Sequence, residues 1–170
     1  MVKNLLNCKF HLRFVLNPLI RYKADNLGSI SGVNQIKREV PVVVSLTSYE
    51  ERFDDLVISL YSLLNQTIKP DRIILWLSDE FEGVNDLPYE ITRFIKNGLE
   101  IRFVKDIKSY TKAVYAFKEF PNAIVVTADD DIYYPKNWLE KLYHSYITHP
   151  QDIQVHRAHR VKLRGRYCSL

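Results

Sequence analysis

The sequence predicts an α/β fold, an open, mostly parallel, twisted sheet with flanking helices. Three observations predict it. Short apolar runs rich in β-branched residues alternate with segments whose apolar residues recur at helical spacing, from Pro41 to Tyr146. The runs are apolar at nearly every position, as in strands buried on both faces. One of them, Ala123-Ile124-Val125-Val126-Thr127-Ala128, ends in Asp129-Asp130-Asp131. Buried strands exclude carboxylates, so three acids at a strand's carboxyl end mark an open edge of the sheet.

The elements follow in order. Residues 1–39 read as a separate basic amphipathic segment and linker. Leu5, Leu6, Leu12, Val15, Leu16 and Leu19 alternate there with Lys3, Lys9, Arg13, Arg21 and Lys23. The spacing predicts an amphipathic helix ending near Pro18, and Asn26 to Gly32 reads as a flexible connection. Residues 40–170 form the second unit. Val42-Val43-Val44-Ser45-Leu46 is the first strand, and Ser48-Tyr49-Glu50-Glu51 fits a capping box. The helix it opens carries Leu56, Val57, Leu60, Leu63 and Leu64 and stops at Gln66 to Pro70. Ile73 to Leu77 is a second buried strand. Pro88 to Asn97 is helical and Gly98 stops it. Leu99 to Val104 alternates as a third strand, and Ser109 to Phe120 is a helix. The strand into the aspartates is the fourth. The last helix has Pro135 near its first turn and Trp138, Leu139, Leu142, Tyr143 and Tyr146 on one face. Ile153-Gln154-Val155 begins a fifth strand. Trp76 and Trp138 read as core.

Composition sets bounds. The chain has 170 residues, 46% hydrophobic and 26% charged, as for one soluble domain with a real core. The net charge of +4 is unevenly placed, basic at both ends and acidic in the middle. That excess does not argue for nucleic acid, and none is expected as a partner. Two cysteines, Cys8 and Cys168, give neither a metal spacing nor a disulfide framework, so the expected setting is the cytoplasm. No apolar run is long enough to cross a bilayer, and Met1 to Ile20 lacks a clean signal peptide. Peripheral contact with the inner face of a membrane through residues 1–23 is an expectation from the basic amphipathic pattern. Packing of that helix on the domain is the alternative.

In an open parallel sheet, ligands bind outside the carboxyl ends of the strands. That rule gathers Thr47-Ser48-Tyr49, Ser78-Asp79-Glu80, Lys105-Asp106 and Asp129-Asp130-Asp131 into one place. The acids suit a hard divalent cation, Mg²⁺ or Mn²⁺, which would attract a phosphate-bearing substrate. A solvated acidic turn is the alternative. No glycine-rich phosphate loop is present, which argues against a P-loop enzyme or a dinucleotide-binding unit.

Val44-Ser45-Leu46-Thr47-Ser48-Tyr49, then Ser62-Leu63-Leu64-Asn65-Gln66-Thr67-Ile68-Lys69-Pro70-Asp71-Arg72-Ile73, then Val126-Thr127-Ala128-Asp129-Asp130-Asp131 resemble the family 2-like glycosyltransferases with the GT-A fold. The resemblance covers about residues 40–160. It implies a Rossmann-like nucleotide-binding half. In that family the acidic (DXD-type) motif binds a metal that bridges the diphosphate of a nucleotide sugar. By position, the resemblance makes Asp131 the first metal ligand and Asp129 a second, with Asp129 or Asp130 facing the ribose or the metal's waters. Thr47, Ser48 and Tyr49 would line the base and ribose pocket, and Arg52 would reach a phosphate. Asp106 would contact the base, and Lys112 would stand near the donor. His156 would add a metal ligand, and Arg157 would lie at the donor site. Each has a plainer reading: Ser48 as a helix cap, Arg52 and Lys112 as exposed helix cations, Asp106 as a loop acid, His156-Arg157 as a solvated basic face.

The resemblance implies a metal-dependent glycosyltransferase of hexosyl type in surface polysaccharide synthesis. It would move a sugar, UDP-linked by analogy, to a glycan or lipid-linked acceptor. Inverting transfer needs a carboxylate base, and no acid follows Asp152. The base is therefore expected beyond Leu170, and the chain is expected to be truncated at its carboxyl end. The alternative is an inactive nucleotide-sugar-binding remnant. An aspartate-nucleophile phosphoryl-transfer enzyme or a receiver domain needs its acids after the first strand, where Thr47-Ser48 stands.

Overall fold

The computed structural model of the protein describes residues 17–28 and 31–156. Residues 17–25 are helical (α1). Then come β1 (Val42–Thr47), α2 (Phe53–Leu64), β2 (Arg72–Ser78), α3 (Tyr89–Thr92), β3 (Leu99–Val104), α4 (Thr111–Glu119), β4 (Ile124–Thr127) and α5 (Trp138–Thr148). The sheet has four strands in the order β3-β2-β1-β4, and every pairing is parallel. The α/β class read from the sequence is the one observed.

Register and alternation explain the two faces. Val44 lies beside Ile73 on one side and Val126 on the other. Val42, Val44, Leu46, Ile73, Leu75 and Leu77 face the larger core, which α2, α3, the 3₁₀ turn Arg93–Asn97 after it, and α5 close with Leu56, Leu60, Leu63, Ile91, Phe94 and Leu139. Val43, Ile74 and Trp76 face the opposite way and pack on Ala116 of α4. The central strands are thus covered on both sides, which is why they read as unbroken apolar runs. Each fully buried Leu or Ile contributes about 1.5–3 kcal/mol of transfer free energy.

Several expectations are corrected. Helical structure continues past Pro18 to residue 25. Of the segment expected to touch a membrane, residues 1–16 lie outside the described residues, and Leu19 and Tyr22 are exposed. No helix among the described residues is long and apolar enough to cross a membrane. The expected flexible connection is tied to the domain where it is described. Gly32 N–H donates to the Asn97 carbonyl at 2.7 Å, Asn97 Nδ2 to the Gly28 carbonyl at 3.1 Å, and Asn34 N–H to the Pro70 carbonyl at 2.7 Å. Gly98, with φ +103°, ends the turn after α3, and a Cβ there would lie 2.7 Å from Val33 Cγ2. Ala24 of α1 is buried in the larger core. No strand forms at Ile153-Gln154-Val155. Gln154 instead bonds Ser145 and, through Nε2, the His149 carbonyl at 2.9 Å.

The strand order decides where a ligand would go. From β1 the chain builds outward through β2 to β3, then returns to β4 on the other side of β1. The reversal lies between β1 and β4, and a crevice opens at the carboxyl ends of strands at such a point. The loop after β1 carries Ser48 to Arg52, and the loop after β4 carries Asp129 to Asp131.

Candidate functional site

Both loops are positioned by named contacts. Ala128 N–H donates to the Ser45 carbonyl at 2.9 Å, extending the β4–β1 pairing to the first aspartate. The chain after the acids is clamped by a polar row on α2 and the turn that follows it. Ser59 Oγ donates to the Ile132 carbonyl at 2.8 Å and accepts its N–H at 3.0 Å. Ser62 Oγ accepts Tyr134 N–H at 3.0 Å. Gln66 donates to the Pro135 carbonyl at 3.0 Å and accepts Leu139 N–H at 2.9 Å. Thr67 N–H reaches the Lys136 carbonyl at 2.8 Å. Ser59, Ser62 and Gln66 recur at helical spacing inside an otherwise apolar stripe, and each buried one must find a partner. That row is a sequence signal for the clamp, and reading the stripe only for its apolar residues passes it over.

Tyr134 is a second residue missed from sequence. Its Oη accepts Asp129 N–H at 2.6 Å and donates back to the Asp129 carbonyl at 3.3 Å. Burial first, and then the nearby acids, push its phenol pKa well above the usual value, so it stays a neutral hydroxyl.

A polar cavity of about 880 Å³ lies between the loops. It gathers Thr47, Ser48, Tyr49, Arg52, Asp106, Lys112 and all three aspartates of the triplet. Ser48 Oγ donates to Asp130 Oδ2 at 2.6 Å, and both residues are buried. Ser48 therefore does not cap α2. The chain enters that helix through a 3₁₀ turn, Glu50–Arg52, and the expected capping box is absent. Arg52 Nη1 lies 3.2 Å from Asp130 Oδ1 and 2.9 Å from Asp131 Oδ2. Its Nε donates to Tyr49 Oη at 2.9 Å, and its guanidinium lies over the Tyr49 ring, 5.6 Å from the centroid. The Tyr49 bond, then Asp131 and Asp130, hold the guanidinium pKa above even its ordinary high value.

The remaining residues have structural partners as well. Thr47 Oγ1 donates to the Trp76 carbonyl at 2.9 Å. Lys112 Nζ donates to the Ala128 carbonyl at 3.1 Å and pairs with Asp129. Asp106 accepts from Lys108 Nζ at 2.8 Å and Lys108 N–H at 2.7 Å, and these bonds hold its carboxyl below the usual range. Lys108 has a positive φ of 61°, which folds it back onto Asp106. His156 is not among the residues lining this cavity. Its Nε2 is 3.0 Å from the Trp138 carbonyl and its ring stacks on Trp138, lining an apolar groove along β4. His156 is thus placed against Trp138 and apart from the lining of the cavity that gathers the acids. Arg157 lies outside the described residues.

The cavity's charge is one-sided. Glu50, Glu51, Glu80 and Asp106 join the triplet, so seven carboxylates face three cations, Arg52, Lys108 and Lys112. A diphosphate entering alone would be repelled. Asp130 and Asp131 bring two hard oxygens to one point, now taken by Arg52 Nη1. Magnesium-type ions are often held by one or two carboxylates plus substrate phosphates, so this donor set fits such an ion. Among the described residues no three His, Cys, Asp or Glu side chains form a ready-made metal cage. Asp129 is turned to Lys112 rather than to that point.

No protein-family model matches the chain. No curated protein matches it either.

Proposed function

We propose that the chain is the donor-binding domain of a metal-dependent glycosyltransferase. It takes a nucleotide sugar, UDP-linked, and serves transfer to a glycan or lipid-linked acceptor in surface polysaccharide synthesis. The observation that carries this reading is the meeting of Ser48, Arg52, Asp130 and Asp131 at the reversal point of a parallel sheet. It is supported by the excess of carboxylates, which a bound divalent cation converts from a barrier into a phosphate site.

In this reading Asp130 and Asp131 hold Mg²⁺ or Mn²⁺, and Ser48 orients Asp130 by donating to its second oxygen. An ion held there would supply positive charge against that of a nucleoside diphosphate leaving group. Thr47 and Tyr49 border the base and ribose, and Asp106 stands opposite with its hydrogen bonds to Lys108 already made. Lys112 fixes Asp129 and keeps a positive charge beside the donor.

Calorimetric titration of UDP, with and without Mn²⁺, into the wild type and Asp131→Ala is the test. Expected is UDP binding that requires Mn²⁺ and falls by about a hundredfold or more in the variant, since losing a carboxylate that holds the ion costs at least as much as losing a metal site's outer partners. Absence of UDP binding to folded wild type in both conditions would sink the reading. Binding with no sugar transfer to any acceptor would favour the alternative, an inactive nucleotide-sugar-binding remnant.

A further inference from the structure

We propose that Arg52 is the resident counter-ion of Asp130 and Asp131, displaced when a divalent cation binds and thereby released to the donor's diphosphate. This rests on the reading of the cavity as a metal-dependent nucleotide-sugar site. The single nitrogen Nη1 reaches both carboxylates, at 3.2 and 2.9 Å, so it stands at the point where their oxygens converge. A guanidinium and a doubly charged ion cannot share that point.

Arg52 is free to leave. Its side chain is 38% exposed, and its other hydrogen bond and its cation–π contact are with Tyr49, an exposed residue of the same loop. Lys112 differs in each respect. Its side chain is 18% exposed and its ammonium is held by a backbone carbonyl of the Asp129 strand end. Of these two cations Lys112 is therefore fixed and Arg52 exchangeable. Once displaced, the guanidinium borders the same cavity as any diphosphate on the metal, and its planar fork suits two phosphate oxygens. The metal opposes Arg52 when it binds alone, but the nucleotide recaptures Arg52. Metal and nucleotide therefore strengthen each other's binding beyond their direct contact.

Mn²⁺ binding, read from the free-ion electron paramagnetic resonance signal with and without UDP, tests this on wild type, Arg52→Ala and Tyr49→Phe. Circular dichroism melts confirm that each variant is folded. Without nucleotide, Arg52→Ala binds Mn²⁺ about tenfold tighter, since a competing charge has gone from beside the ion. Tyr49→Phe changes no net charge but loses the bond that steadies Arg52, so it binds Mn²⁺ a few-fold tighter. With Mn²⁺ saturating, Arg52→Ala binds UDP about tenfold more weakly. Mn²⁺ affinity unchanged or lowered in Arg52→Ala overturns the proposal, even if wild type binds UDP with metal and the donor-site reading stands. Tighter Mn²⁺ binding in both variants, with no UDP binding to any form, keeps Arg52 as the displaced counter-ion. That outcome removes both its phosphate role and the donor-site reading. UDP binding to wild type that is equal with Mn²⁺ and with chelator overturns the exchange, because the site then works without a metal.

Discussion

Two arginine–aspartate contacts stand at opposite ends of the same sheet and do opposite work. At the amino end Asp71, just before β2, takes Val42 N–H of β1 at 2.8 Å, Asn34 Nδ2 at 2.9 Å and Arg38 Nη1 at 2.8 Å. Arg38 also donates to the Lys69 carbonyl at 2.7 Å. Both side chains are mostly buried, at 17% and 20% exposure. At the carboxyl end Asp131, 44% exposed, is held by Arg52. The first contact joins three chain segments and has no reason to open. The second joins two loops around a cavity, and in the proposed site it opens to a ligand. Burial and the number of donors, rather than the identity of the pair, separate a structural ion pair from a functional one.

The largest effect is expected at the amino end. Asp71→Ala strands a buried Val42 N–H and leaves Arg38 without its carboxylate, so unfolding free energy falls by about 3 kcal/mol in urea titrations. The acid has a pH signature of its own. Burial opposes ionisation of Asp71, but Val42 N–H, Asn34 and Arg38 outweigh it and hold the carboxyl below its ordinary range. A folded-state pKa below the unfolded one stabilises fully above about pH 4 and is lost as pH falls through the folded value. The difference in stability between wild type and Asp71→Ala should therefore narrow below about pH 4. A difference that is constant with pH would show that Asp71 acts by shape alone.

A smaller effect sharpens the link between the two ends. Ser62 sits on α2, its hydroxyl buried between the Ser59 carbonyl, at 2.7 Å, and Tyr134 N–H. Ser62→Ala removes an acceptor from a buried N–H and should cost about 1–2 kcal/mol. Because Tyr134 fixes the backbone of Asp129, the same change should also weaken Mn²⁺-dependent UDP binding several-fold. Lost stability with unchanged UDP affinity would show that the clamp supports the fold without aligning the acids.

How much of this was legible follows from the range of each interaction. The four strands are readable because burial on both faces writes apolar runs into the sequence, and the rule that ligands bind outside the carboxyl ends of parallel strands gathers the loop residues, whereas the reversal at β1 depends on the strand order. Ile153-Gln154-Val155 has the alternation of a strand over three residues only, and the Gln154 side chain bonds into the turn after α5 instead. The capping box at Ser48 failed because a local rule cannot see Asp130, 82 residues away, which takes the hydroxyl. The resemblance brings Arg52 and Lys112 to the aspartates, but not their pairing, since pairing depends on side-chain direction. The resemblance groups His156 with the acids, and Trp138 of α5 holds it instead.

The smallest expected effect is the most discriminating. Asp131→Asn keeps the side chain's size and removes one charge from a cavity where seven carboxylates face three cations. The lost contact with Arg52 is solvent-screened, and relief of repulsion among the remaining acids offsets it. Thermal melting should therefore move by no more than about 2 °C, in either direction, in contrast with the marked loss for Asp71→Ala. Added salt separates the two contributions, because screening weakens both the lost attraction and the relieved repulsion and should shrink the small shift further. A large destabilisation of Asp131→Asn that persists in salt would make the carboxyl-end contact as structural as the amino-end one. Arg52 would then lack the freedom on which an exchangeable site depends.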